Sequence, residues 1–161
     1  MDTSEKGLEE IIEKSLVYEA KYESGDWKTD YNREYAIDEK RFFRFLESTQ
    51  PETYSALLSE ISTPYSKAKF LEELSRQITS RGILEVLLHN FSYKHLTFFT
   101  YQALPSDENK TAKELYEKNI FSVIRQVHFS TTTEESVDIV IFINGLPVST
   151  MELKNSLTKQ S

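Results

Sequence analysis

The chain contains no cysteine, which excludes disulfides, zinc–thiolate sites, iron–sulfur clusters and thiol catalysis together and fits a reducing cytoplasm. It has only four glycines and four prolines in 161 residues, too few for a collagenous or low-complexity chain. No apolar run approaches the roughly 20 residues of a membrane-spanning helix. The first twenty residues, MDTSEKGLEEIIEKSLVYEA, are acidic and charged where a secretory signal is basic and then apolar, so no membrane partner is expected. Positive charge is also short: 26 acids against 19 bases leave −7, the wrong sign for a module that grips DNA or RNA over a broad basic face. A nucleic-acid role then needs a local site, a metal or a basic partner. What remains is a globular composition, 39% hydrophobic and 12% aromatic, sufficient for one core. The length suits a single domain over residues 1–161, mainly helical in 1–82 and mainly strand in 83–161.

Between Glu5 and Tyr18 the residues Leu8, Ile11, Ile12, Leu16 and Val17 follow helical spacing behind a Ser4 N-cap, and predict an amphipathic helix. Ser24-Gly25-Asp26 breaks the pattern. A second helix is expected over about 35–47, with Phe42, Phe43, Phe45 and Leu46 on its apolar side, and a short third one opens at Pro51. Residues 65–81 carry Phe70, Leu71, Leu74 and Ile78 at helical spacing and stop at Gly82. Apolar or β-branched runs at 82–90, 95–101, 120–129, 137–143 and 148–154 then predict strands, separated by polar loops around 105–110 and 130–136. Helices first and an antiparallel-looking sheet afterwards give an α+β, or mixed α/β, layered domain.

Asp138 lies near the start of the strand Val-Asp-Ile-Val-Ile-Phe-Ile, where an unpaired carboxylate is costly and calls for a partner, a metal or water. Asp-x13-Glu-x-Lys spans Asp138, Glu152 and Lys154 and brackets a hairpin whose turn contains Asn144-Gly145. Strand alternation puts Glu152 and Lys154 on one face and Leu153 on the other. Whether Asp138 joins them depends on the turn. A plain two-residue Asn-Gly turn pairs Ile143 with Leu146 and sends Asp138 and Glu152 to opposite faces. A three-residue loop or a β-bulge brings them together. Converging, Asp138, Glu152 and the Leu153 carbonyl offer hard oxygen ligands suited to Mg²⁺ or Mn²⁺, and Lys154 adds a positive charge, a set suited to phosphodiester hydrolysis. Acid-x-Lys also occurs at Glu19-Lys21, Asp26-Lys28, Asp38-Lys40 and Glu108-Lys110, so the triplet alone is uninformative and a solvated strand face is the plainer reading. Only the last copy follows a strand that carries its own acid.

The segment VDIVIFINGLPVSTMELKNSLTKQ resembles the nuclease hairpin of type I restriction enzyme R subunits, whose N-terminal region belongs to the PD-(D/E)xK nucleases. Family members carry S-x-D-L-V-L-F-V-N-G-I-P-V-A-x-x-E-L-K-N-P-x-T-G-Q, and this chain departs with Ser156 at the proline and Lys159 at the glycine. The stretches YAIDEKRFFRFLESTQPETYSALL, Gly82-Ile83-Leu84 and LYEKNIFSVIRQVHFS are also similar, with Asn119, Arg125 and Gln126 matching N-x-x-x-V-x-R-Q. The resemblance covers essentially the whole chain.

It implies a restriction-endonuclease-like core with helices leading into a sheet and its catalytic hairpin, truncated at the C-terminus. Asp138, Glu152 and Lys154 are then the catalytic set, with Mg²⁺ held by Asp138, Glu152 and Leu153. Gly7-Leu8-Glu9-Glu10 is similar to the family's first helix, whose glutamate lies near the metal; Glu9 fits best and Glu10 next. The plainer reading of Glu9 is an acid near a helix N-terminus favoured by the macrodipole. Arg125 and Gln126 either face the site or DNA, or serve hydrogen bonding within the sheet. The implied partners are double-stranded DNA and the methyltransferase and specificity subunits of the restriction complex. The family's Gln-x-x-x-Tyr helix and its motor domains are not in this sequence, which has no Gly-x-x-x-x-Gly-Lys-[Ser/Thr] loop. ATP therefore belongs to the motor domains of the parent protein, and the fragment alone is expected to be weakly active or inactive. The competing reading is a non-catalytic module that docks the R subunit onto its partners.

Plainer roles are expected elsewhere. His89, His95 and His128 have no metal-site spacing, and no Gly-x-Ser-x-Gly supports a serine triad. Phe91, Tyr93, Phe98, Phe99 and Tyr101 read as core, and Trp27 with Tyr22 and Tyr31 as a loop packed on the first helix.

Overall fold

A computed structural model describes residues 5–153. Helix α1 (Glu5–Tyr18) leads into three short strands, β1 (Glu23–Gly25), β2 (Tyr31–Asn32) and β3 (Ile37–Asp38). Four helices follow: α2 (Glu39–Thr49), α3 (Pro51–Glu60), α4 (Pro64–Arg81) and α5 (Ile83–Leu88). The small hairpin of β4 (Phe91–Tyr93) and β5 (Leu96–Phe98) precedes α6 (Lys110–Glu117), and the chain then enters β6 (Phe121–His128), β7 (Ser136–Ile143) and β8 (Leu146–Met151). The fold is α+β. Its main sheet runs β1-β6-β7-β8, antiparallel except that β1 pairs parallel with β6.

The caps account for several helix boundaries. Thr63 and Ser66 form a reciprocal capping box at the start of α4, Pro51 and Pro64 open their helices, and Gly82 ends α4 at φ +89°. Helix α2 begins later than its apolar spacing suggests, because Asp38 caps it by accepting from the Arg41 N–H while Ile37-Asp38 pairs with β2. The run 82–90, expected as strand, is helix α5. Its apolar residues are also compatible with one helical face, and Val86 and Leu87 are the ones buried. Lys110, placed in a polar loop, opens α6 behind an Asn109 cap. Ser24-Gly25, read as a break, forms edge strand β1, and that strand makes the sheet mixed.

Two apolar clusters hold the layers together. The larger joins α2, α3, α4 and α5 with the β4–β5 hairpin, around Phe42, Phe45, Phe70, Phe91 and Phe98, and reaches the sheet through Leu146. The aromatic series thus goes largely to core: the Phe70 ring meets Phe91 and Phe98 edge-on. The smaller cluster is Ile124, Val127, Val140 and Phe142, covered by Trp27 and Tyr31. Trp27 stacks on His128 of β6 at 3.7 Å between ring centroids, so it packs on the sheet and not on the first helix. An indole covers the apolar surface that β1, a strand of three residues, leaves open.

Between these clusters lies Arg41, 5% exposed on α2. Its guanidinium donates to Asp30 (2.9 Å), Asp38 (3.0 Å), Glu23 (3.0 Å) and the Ser24 carbonyl (3.3 Å). Three segments are tied to one charge on α2, and a buried cation tolerates its place because nearly every donor has an acceptor. Burial pushes Asp30 up, but the Asp26 N–H and Arg41 outweigh it and hold Asp30 at about 2. Burial dominates at Asp38 and raises it.

The tip of the β7–β8 hairpin is also buried. Asn144 and Gly145 take φ +51° and +81° in a two-residue turn. Asn144 accepts from the Ile120 N–H (2.6 Å) and donates to the Thr100 carbonyl (2.9 Å) and to Asn119 (3.0 Å). The Gly145 carbonyl accepts from the Asp38 N–H at 2.9 Å. A Cβ at Gly145 would lie 2.4 Å from the Asp38 carbonyl and 2.7 Å from the Phe42 nitrogen.

Two outcomes follow. Gly145→Ala adds a left-handed penalty to that backbone clash and is expected to lose roughly 2–4 kcal/mol in denaturant unfolding. Wild-type stability in that variant would remove the tip from its anchoring role. Asp30 is depressed in the folded state, so its contribution is present above the ordinary value of 3.8 and is lost as pH falls towards about 2. Asp38 runs the other way, being raised. Unfolding curves should therefore show Asp30→Asn less stable at neutral pH and shallower in its loss of stability between about pH 4 and pH 2.

Candidate metal centre

The hairpin register decides whether the acids meet. Ile143 pairs with Leu146 and Phe142 with Pro147, the register of a plain two-residue turn. Ile141 then pairs with Ser149, Val140 with Thr150 and Ile139 with Met151, so Val148 is an extra residue in β8 and the register shifts by one. Continued by one residue, this register would set Asp138 opposite Glu152, which lies just beyond the end of β8. The bulge required by a shared face is present. Pro147, which lacks an N–H, sits beside it on the outermost strand, where that loss is tolerated.

Asp138 is held by the strand end it faces. Its Oδ2 accepts from the Leu153 N–H at 2.7 Å. Leu153 thus meets Asp138 through its donor end and not through the carbonyl that metal ligation would use. Glu152 follows the last residue of β8 and its side chain is exposed. Lys154 lies outside the described residues.

Glu9 comes to the same place from α1. The helix packs on β6, and Glu9 is 2% exposed although it is an acid on a helix with an apolar side. Gln126 Nε2 donates to Glu9 Oε1 (2.8 Å) and Oε2 (2.7 Å). Arg125 pairs with Glu9 at 3.4 Å and with Glu13, one turn on, at 3.6 Å. The same Gln126 nitrogen is 3.5 Å from Asp138 Oδ1. Glu9 therefore lies against the strand that faces Asp138, whereas Glu10 is exposed and pairs with Lys14. A buried carboxylate with these contacts is more than an acid tuned by the helix dipole.

A backbone irregularity makes this possible. Strict alternation would send Arg125 and Gln126 to opposite faces. Gln126 has φ +53°, and both side chains reach Glu9 while Val127 turns to the apolar cluster under Trp27. Ser136 donates to Gln126 Oε1 at 3.0 Å, and the His128 ring nitrogen Nδ1 donates to the Gln126 carbonyl at 2.9 Å. Both side chains contact Glu9, and Gln126 also takes a hydrogen bond within the sheet from Ser136.

The acids named above offer oxygen donors, the type that a hard divalent cation takes. Glu9, Asp138 and the oppositely registered Glu152 supply only oxygen, and no cysteine competes for a softer metal. Among the described residues no three acidic or histidine side chains are close enough to form a ready metal cluster. Mg²⁺ commonly takes one or two carboxylates and keeps several waters, so the set suits that ion better than a fully enclosed one.

The Glu9–Gln126 contact and the Arg41 anchor escaped the sequence reading. Arg41 had a visible signal, since it stands on the face of Phe42 and Phe45, where a charge must find acids. The Gln126 backbone angle had none. No helix among the described residues is long and apolar enough to cross a membrane. A family model described as the N terminus of the type I restriction enzyme R protein matches residues 2–161. No curated protein and no solved structure matches the chain.

Proposed function

The chain belongs to the family of type I restriction enzyme R protein N termini, and from that premise we propose that it is the region that hydrolyses DNA phosphodiesters in such a complex. The observation that carries the reading is the Val148 bulge, which shifts the β7–β8 register by one up to the Ile139–Met151 pair; continued one residue further, that register would bring Asp138 and Glu152 to one face. Asp138 and Glu152 would hold Mg²⁺ or Mn²⁺, with the Leu153 carbonyl as a further candidate. When bound, such an ion supplies Lewis-acid polarisation and offsets the charge of the scissile phosphate.

The rest falls to the chain. The Leu153 N–H fixes the Asp138 carboxylate through Oδ2 and leaves Oδ1 turned towards Gln126. Glu9 brings a third acid, from α1, for orienting water. Lys154, which follows Glu152 by two residues in the sequence, would be the positive group that orients or activates the attacking water. Net charge of −7 makes the local ion the point where phosphate can approach, and the broader DNA grip falls to other parts of a cytoplasmic assembly containing the methyltransferase, specificity and ATP-driven motor elements.

A docking module is the second reading. It is favoured by the lack of a ready three-donor cluster among the described residues and by Leu84 and Leu88, exposed one turn apart on α5.

The test is Mg²⁺-dependent cutting by the intact R subunit assembled with its partners. Asp138→Ala and Lys154→Ala should each reduce cutting by about 100-fold or more while ATP hydrolysis persists. Undiminished cutting in both variants would refute the nuclease reading and leave the docking one.

A further inference from the structure

We propose that the Gln126 side-chain amide is a place-holder for the cation, lying between the two acids and setting the affinity with which a divalent ion enters. The inference rests on the metal reading of Asp138 and names a positioning residue for that site. Gln126 Nε2 stands 2.8 Å and 2.7 Å from the two Glu9 oxygens and 3.5 Å from Asp138 Oδ1. One NH₂ group thus faces three oxygens of two carboxylates, as a cation would. Its two partly positive hydrogens offset the repulsion between the buried Glu9 and the half-buried Asp138.

The amide is held in this sense at both ends. The acceptor-only carboxylate of Glu9 assigns the nitrogen to the acids, since the flipped amide would set a carbonyl against it, and Oε1 then accepts from Ser136 Oγ at 3.0 Å. The backbone commits to it as well. Gln126 takes φ +53°, a region that glycine and asparagine enter far more readily than glutamine, and such a residue persists where its surroundings over-determine it. The neighbouring Arg125 is 3.4 Å from Glu9 Oε1, so Glu9 keeps a cationic partner when the amide leaves. An ion that ligates Glu9 and Asp138 together must displace the Gln126 hydrogen bonds, and their loss opposes binding.

Mn²⁺ titration by calorimetry, with thermal unfolding at each concentration, separates the outcomes. The whole chain is compared with Gln126→Asn, Gln126→Gly and Asp138→Asn. Asparagine and glycine both accept the left-handed backbone, and neither reaches Glu9. Losing a competing hydrogen bond to a carboxylate should tighten Mn²⁺ on the order of tenfold in Gln126→Asn, with a larger Mn²⁺-dependent rise in Tm than in the parent chain. Binding seen in Gln126→Asn and missing in the parent supports the same conclusion. Unchanged or weaker binding in folded Gln126→Asn and Gln126→Gly, with parent binding lost in Asp138→Asn, overturns the place-holder and leaves the metal reading standing. No binding in any variant, or binding indifferent to Asp138→Asn, overturns both.

Discussion

The hairpin between β7 and β8 ends in a turn that is inside the protein, and much of the arrangement depends on what that turn touches. Asn144 replaces water for the Ile120 N–H and the Thr100 carbonyl, while the Gly145 carbonyl takes the Asp38 N–H at the entry to α2. Asp38 in turn caps α2 and binds Arg41, which reaches Glu23, Asp30 and the Ser24 carbonyl. The helical layer and the sheet are thus joined by a continuous series of polar contacts as well as by the apolar cluster that includes Leu146. Buried polar groups fully supplied with partners specify one arrangement more strictly than apolar contact alone, because any slip leaves donors or acceptors without partners.

That strictness matters at the other end of the same hairpin. Asp138 lies six residues before Asn144 and Glu152 seven residues after Gly145, and the tip cannot slide to accommodate them. The correction comes from Val148, inside the strand. On the facing strand a second irregularity, the left-handed Gln126, sets two consecutive polar residues towards α1. Both departures from regular β geometry lie within the sheet segment that carries acids, where an irregular backbone re-aims side chains.

The sequence made the main helices legible because their apolar spacing and end signals agreed, as at Pro51 and Gly82, whereas the Thr63 cap and Pro64 start of α4 were not read from it. The β6, β7 and β8 runs were legible from β-branched alternation. The short apolar run 82–90 was not, since burial on a helix and burial in a strand leave the same composition. Strand β1 was hidden by its Ser-Gly sequence, and its pairing with β6 is a contact across almost one hundred residues that local pattern does not encode. At the candidate centre the need for a bulge followed from counting residues, but its position at Val148 did not. Trp27 showed the limit for loops: its aromatic partner, His128, is set by tertiary approach.

The Val148 bulge also has a consequence for inheritance. A substitution in the hairpin changes one side chain, but the loss of a single codon between Asn144 and Glu152 would move every later side chain to the opposite face. The chain would keep its composition, its turn and nearly all of its hydrophobic pattern, and the two acids would part. In this segment residue count carries as much information as residue identity.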